Sequence, residues 1–324
     1  MADARLTQAI QWLDEVLDVS FEIRALAGDA SFRRYFRVHS EHETWVLMDA
    51  PPGKEDCSPF LRIRAWFQNV PLRVPDLIAE NQQQGFLLLE DFGDNTWATY
   101  LQKAGDVKPL FQDALRQLHA LQAAPEPNFE LPNFDVARMQ RECELYLDWY
   151  LPKVVGYVPS PPERVSFHAA LLPYLQRLQL LPQAAVHLDY HCRNLMVPKK
   201  GLPLGVIDFQ DAVSGPITYD LASLLYDCYQ DYPESLRREW SAYFFSALPT
   251  SLNTYFTDFN HWHEALRLTA FQRHIKAIGI FSRLAYRDGK QSFLDEIPLT
   301  KKHLQDDMAV LNLPDAVVKI LRQT

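Results

Sequence analysis

One stretch, His187–Asp211 (HLDYHCRNLMVPKKGLPLGVIDFQD), restricts this chain more than any other part of it. Asp189 follows His187 by two residues, Asn194 follows Asp189 by five, and Asp208 follows Asp189 by nineteen. Between them, Leu195–Val197 and Leu204–Ile207 are short apolar runs joined by Pro198–Pro203, which contains Gly201. That pattern reads as a small hairpin returning Asp208 to the neighbourhood of Asn194. A turn Asp or a capping Asn would explain each residue singly. The set at this spacing fits phosphoryl transfer, which needs one carboxylate at the attacking hydroxyl and oxygen ligands for the magnesium bridging the phosphates. The spacing therefore predicts Asp189 as the catalytic carboxylate, Asn194 and Asp208 as metal ligands, and ATP and Mg2+ as cofactors.

A chain of 324 residues is long for one compact core, so two lobes are expected. Its apolar share of 48% is ample for folding. A formal charge of −9 argues against a general nucleic-acid binder, which carries a basic footprint. Cys57, Cys143, Cys192 and Cys228 are scattered without C-x-x-C spacing, as expected of reduced thiols in a cytoplasm. The N-terminus is acidic and amphipathic, unlike a secretory signal, and no run of 18 apolar residues exists. These features predict a soluble cytoplasmic protein with no membrane or nucleic-acid partner, and nothing implies an obligate protein partner.

Residues 6–17 have helical apolar spacing. Three strand-like runs follow, Phe21–Ala27, Phe32–Val38 and Thr44–Met48, the first two joined by Gly28–Ser31. A tip of this kind can lay N–H groups over phosphates, which makes Ser31 and Phe32 candidate nucleotide contacts. Residues 58–68 read as a helix, and Leu77–Ala79 and Phe86–Glu90 as a strand pair. Beyond Asp91-Phe92-Gly93 the pattern turns helical: 95–122, 136–150, 165–181, 219–229, 235–245 and about 261–286, with 159–162 as a linker. Strands first and helices after predict an α+β, two-lobed architecture, with 1–92 as the nucleotide-binding lobe and 93–324 as the catalytic and acceptor-binding lobe. The Asp91-Phe92-Gly93 triplet precedes His187 by almost a hundred residues, too early for the metal-binding D-F-G of a kinase, and reads as hinge.

His187-Leu188-Asp189-Tyr190-His191-x-x-Asn194-Leu195-Met196, followed by Ile207-Asp208-Phe209-Gln210-Asp211, resembles the aminoglycoside phosphotransferase and choline-kinase-like superfamily. The resemblance covers nearly the whole chain and implies a protein-kinase-like fold. It implies a hinge at Leu88–Glu90, where Leu89 and Glu90 would meet the nucleotide, and a helix start at Asp220 bracing the site. Only 11 residues separate Asp208 from Asp220, too few to present a peptide, so a small-molecule acceptor is expected. In one respect the chain departs from the superfamily. The strand Thr44–Ala50 lacks the Lys that usually grips the phosphates, and Arg33 or Arg34 could replace it, with strand alternation allowing only one of them and Arg33 the choice.

Three further segments narrow the likeness: Ala30–Phe36, Met48–Pro52 and Phe271–Leu284 resemble bacterial anomeric sugar kinases of cell-wall recycling. Those enzymes phosphorylate N-acetylmuramate and N-acetylglucosamine, which implies an amino-sugar acceptor. On a helix, Arg273, Lys276, Arg283 and Arg287 would share an arc of about 80°, a stripe able to receive an anion or merely a solvated face. Glu142, Asp148 and Trp149 are candidates for sugar hydroxyls and a stacking face, or equally for helix surface and core. His261-Trp262-His263-Glu264 has the wrong helical spacing for a zinc site. The rivals are an aminoglycoside or choline-type kinase and a catalytically inactive kinase-like binding protein.

Overall fold

A computed structural model describes residues 3–26, 32–103, 106–198 and 201–323. Helix α1 (Ala4–Val16) starts at Asp3, whose carboxylate accepts the N–H groups of Arg5 and Leu6. It lies on a five-stranded antiparallel sheet of β1 (Glu22–Ala25), β2 (Arg34–His39), β3 (Thr44–Asp49), β4 (Leu77–Asn81) and β5 (Phe86–Glu90), in the order β1-β2-β3-β5-β4. Alternation divides the sheet's apolar residues between two faces. Phe36, Val38, Leu47, Phe86 and Leu88 pack under Ala9, Trp12 and Leu13 of α1. Met48, Leu87 and Leu89 face the other way, toward Phe60, Ile63 and Phe67 of α2 (Ser58–Phe67), and join the core of the helical half.

The remainder is mostly helical, and four expectations need correction. The helix expected over 95–122 is two, α3 (Trp97–Gln102) and α4 (Lys108–Gln122), because Pro109 fits only a first turn. The helix expected over 136–150 is α5 (Val136–Leu145), which continues as a wider π-helical segment, Tyr146–Val155, ending at Gly156 with φ 80°. The linker expected at 159–162 supplies the first turn of α6 (Pro161–Gln179): prolines lack the N–H that a first turn leaves unpaired, and Glu163 accepts the N–H of Ser160.

After α6 come β6 (Gln183–Val186), β7 (Leu195–Met196), β8 (Gly205–Val206) and β9 (Val213–Pro216), pairing as β6–β9 and β7–β8. Helix α7 (Tyr219–Leu225) stops short of the expected Tyr229. It is followed by α8 (Glu234–Ser246), α9 (Thr250–Asn253), the 30-residue α10 (Phe259–Asp288), α11 (Ile297–Val310) and α12 (Asp315–Leu321). Helix α10 crosses α5 at Gly279. A Cβ there would lie 2.5 Å from the Leu145 carbonyl carbon and 2.6 Å from the Tyr146 nitrogen, so only glycine permits this approach. The crossing brings Glu142 of α5 against Gln272 and Lys276 of α10. Among the described residues no helix is long and apolar enough to cross a membrane, and all four cysteines are free and buried.

Candidate active site

The loop between β6 and β7 carries Asp189 and is held mainly through its backbone. The Asp220 carboxylate, in the first turn of α7, accepts the N–H groups of His187 (2.7 Å) and Leu188 (3.0 Å). Burial pushes this carboxyl up to about 7, against the pull of those two donors. The two bonds hold Leu188 at φ 80°, a conformation that non-glycine residues adopt only where their surroundings enforce it. His187 is fully buried, and burial lowers it to about 4, so the ring is neutral near pH 7. Its Nε2–H donates to the Ile207 carbonyl (3.1 Å) and its Nδ1 accepts the Asp189 N–H (3.2 Å). One imidazole thus ties the Asp189 segment to the residue before Asp208.

The expected hairpin forms and brings the predicted residues together. The Asn194 side-chain amide donates to the Asp189 carbonyl (3.0 Å) and reaches Asp208 Oδ2 (3.4 Å), while the Ile207 N–H donates to the Asn194 carbonyl (3.1 Å). Among the described residues Asp208 is the second non-glycine with positive φ, 65°, and its Oδ1 accepts from Gln210 (2.7 Å). Asn194 and Asp208 therefore place one amide and one carboxylate side by side. That donor set suits a hard cation that takes its other ligands from phosphate and water. It is compatible with magnesium.

A cavity of about 590 Å³ opens between the sheet and this loop, lined by Tyr35, Val46, Leu89, Met196, Ile207 and Asp208 among others. A larger open depression, about 930 Å³, lies over α4 and the β7–β8 hairpin and contains none of the predicted site residues. Glu90 also lines the smaller cavity, with its carboxylate bonded to Arg73 (2.7 Å). Arg34 is turned to the α1 side, where it pairs with Asp49 and Asp3. Arg33 lies 3.7 Å from Glu55, whose carboxylate also accepts the N–H of Phe32, a residue with an exposed ring. Ser31 lies outside the described residues. Asp91 of the early triplet is occupied by Arg37 (2.7 Å) and the Gly93 N–H (2.8 Å), as a hinge residue would be.

On the other side of Asp189 stands a wall from α5, α7 and α10. Lys276 Nζ bonds Tyr219 Oη (3.1 Å) and lies 3.8 Å from Glu142, which accepts from Gln272 (3.0 Å) and Arg138 (3.3 Å). Arg273 lies over the Tyr219 ring and is 7% exposed, and its Nε and Nη1 have no hydrogen-bond partner among the described residues. Burial works against the ionised form of Asp189, yet Lys276, then His191 and Arg273, hold it below the usual carboxylate range. Burial likewise opposes the charge on Lys276, which Glu142, Tyr219 and Asp189 preserve.

The structure splits the basic stripe. Arg283 stands two turns further along α10, about 10 Å from Lys276 on the axis, beside Arg287 and Asp288. Trp149 belongs to the π-helical segment and is half-buried, and Asp148 pairs with Arg164. Around His261–Glu264 the side chains diverge: His261 accepts from Thr257, His263 faces Glu234, and Glu264 pairs with Arg177. Sequence reasoning missed Tyr219, Gln272, Glu55 and Asp227. The Asp227 carboxylate accepts the N–H groups of Cys192 (2.9 Å) and Tyr229 (2.8 Å), so it holds the loop downstream of Asp189 as Asp220 does upstream. Its position seven residues after Asp220 was the available signal.

Comparison with known proteins agrees with this geometry. The fold is shared with the choline kinase LicA from Streptococcus pneumoniae (TM-score 0.65, 13% identity, covering 94% of this chain and all of that one). It is shared equally with an ADP-bound aminoglycoside phosphotransferase (TM-score 0.62, 15% identity, covering 94% and 99%). In sequence the chain is 37% identical to an N-acetylmuramate/N-acetylglucosamine kinase of Pseudomonas aeruginosa, over 95% of this chain and 93% of that protein. It is 34% identical to the protein of the same name from Pseudomonas putida, over 91% and 89%. Residues 22–255, from β1 to just before α10, match the phosphotransferase enzyme family APH. Matched by that family over most of its length, the chain belongs to the phosphotransferase family and is a kinase acting on a hydroxyl group.

Proposed function

We propose that the protein uses ATP and magnesium to phosphorylate the anomeric hydroxyl of N-acetylmuramate and N-acetylglucosamine. The observation that carries this reading is the likeness to kinases of that name along nine-tenths of the chain, α10 and its acceptor-side residues included. In this reading residues 1–92 bind the nucleotide and 93–324 carry the catalytic loop and the acceptor wall. The base lies along Leu89 and Glu90, and Arg33, steadied by Glu55, stands in for the missing strand lysine at the phosphates. Asn194 and Asp208 hold magnesium, which when bound neutralises charge on the phosphates.

Asp189 faces the acceptor. The anomeric oxygen forms a bond to the γ-phosphorus, the bond from that phosphorus to the β-γ bridging oxygen breaks, and ADP leaves with the electron pair. The hydroxyl proton passes to Asp189. An anomeric hydroxyl is more acidic than an ordinary alcohol, so a carboxylate held ionised by Lys276 and Arg273 is basic enough, and its main work is orientation. The wall suits a sugar better than an organic cation, because Lys276, Gln272 and Arg138 already engage Glu142. The test is ATP consumption with N-acetylmuramate, N-acetylglucosamine, choline and kanamycin as separate acceptors. Turnover with the two sugars and a phosphate on C1 is expected; turnover with choline or kanamycin alone sinks the proposal.

A further inference from the structure

Helix α10 has two polar sides. Gln272, Arg273 and Lys276 face the acceptor wall, whereas His274 enters a separate, wholly buried cluster with Asp307 of α11. Both side chains are 0% exposed. His274 Nδ1 lies 2.6 Å from Asp307 Oδ2, and Nε2 lies 3.0 Å from the Tyr226 carbonyl oxygen. The Tyr226 carbonyl can only accept, so Nε2 carries the hydrogen of that bond. Asp307 is fixed in turn by Arg267 (2.8 Å), whose guanidinium also lies over the Tyr226 ring.

We propose that His274 and Asp307 are a positioning pair that fixes the catalytic loop from behind, through the main chain at Tyr226. Tyr226 follows the last residue of α7, where carbonyl groups lack helical partners, and its own conformation (φ −111°, ψ 47°) is no longer helical. The next residue is Asp227, whose carboxylate takes the N–H of Cys192. Cys192 lies three residues after Asp189 and two before Asn194. A continuous set of bonds therefore runs from Asp307 through His274, the Tyr226 carbonyl and Asp227 to the centre of the catalytic loop. His274 and Asp307 both lie C-terminal to residues 22–255, the segment matching the phosphotransferase family. The proposal rests on the kinase reading but not on which sugar is the acceptor.

A pair that only stabilises the fold and a pair that positions the loop respond differently to two amides. His274→Gln places its N–H₂ near the former Nε2 and can still donate to Tyr226. His274→Asn places it near the former Nδ1 and can donate only to Asp307. Both remove the ring and lower Tm. Positioning predicts that His274→Asn reduces kcat about ten-fold, with KM for nucleotide and acceptor within about two-fold, while His274→Gln stays within about three-fold of wild type. Hydrogen–deuterium exchange of a peptide covering 187–196, measured without substrate, supplies a readout independent of any acceptor. His274→Asn should accelerate it and His274→Gln should not. Equal kcat and equal exchange in the two variants overturn the proposal. If His274→Asn does not fold, Asp307→Asn replaces it: faster exchange over 187–196 supports the pair, and wild-type exchange overturns it. Absence of sugar turnover by the wild-type protein would count against the proposed function alone, since the exchange measurement still decides this point.

Discussion

The loop from His187 to Asp208 and the wall that faces it meet at Asp189 and are held differently. In the loop, the N–H groups of His187, Leu188 and Cys192 go to two carboxylates on either end of α7, and that of Asp189 goes to His187. The side chains proposed to act there, Asp189 and Asp208, are placed by a backbone that other residues fix. In the wall, Glu142, Lys276, Tyr219 and Gln272 are fixed by each other, from three helices far apart in sequence. The loop can therefore be shared across many kinases while the wall changes with the acceptor.

The comparison can be broken from either side. Asp189→Asn should reduce kcat by about 10³-fold or more, the scale of a lost general base, with nucleotide binding by calorimetry nearly unchanged. Normal turnover in this variant would falsify the assignment of the catalytic loop. Lys276→Met removes a wall cation that also acts on Asp189 and should lower kcat/KM for the acceptor roughly 10- to 100-fold while nucleotide affinity holds. A loss confined to the nucleotide KM would show that the wall and cleft are not separate. Gly279→Ala should destabilise by roughly 1–3 kcal/mol in denaturant unfolding, because its methyl meets backbone. It should also raise the acceptor KM by moving Glu142; an unchanged midpoint and KM would mean the crossing relaxes freely.

Smaller effects sharpen the boundary with the sheet. Arg33→Ala should raise the nucleotide KM about ten-fold, as expected on losing one charge-assisted contact, and Arg34→Ala should not. No change in either variant removes Arg33 from the site. The smallest effect is one of pH. His187 is lowered to about 4 from an ordinary 6.5, so its contribution to stability is complete above 6.5 and is lost as pH falls toward 4. At pH 6 that loss is roughly 1 kcal/mol, and His187→Gln should abolish its share of the slope between pH 7 and 5.

The loop was legible in the sequence because its working residues lie within one short stretch, where spacing in the chain is nearly spacing in space. Asp189, Asn194 and Asp208 meet as the hairpin requires. The wall was legible only in pieces. Arg273, Lys276 and Glu142 were candidates, but a helical wheel fixes angle and not height, so Arg283 and Arg287 fell on the same stripe while standing turns away. Tyr219 and Gln272 carried no signal of their own, since a partner 130 residues distant selects Gln272. The misplaced helix starts near Pro109 and Pro161 share one cause. Proline ends a helix from inside but is welcome in its first turn, and composition alone does not say which side it is on.

Asp220 lies in the first turn of α7 and Asp227 two residues beyond its last, and each grips a different part of the same loop. Helix α7 is therefore a ruler. Lengthening or shortening it by a single residue would swing one carboxylate about 100° away from its N–H partner, whatever residue was added or removed. All seven residues of α7 are buried, so packing constrains its sequence and the two carboxylates constrain its length. Insertions and deletions that surface loops such as 124–133 would absorb should be lethal to activity between 220 and 227.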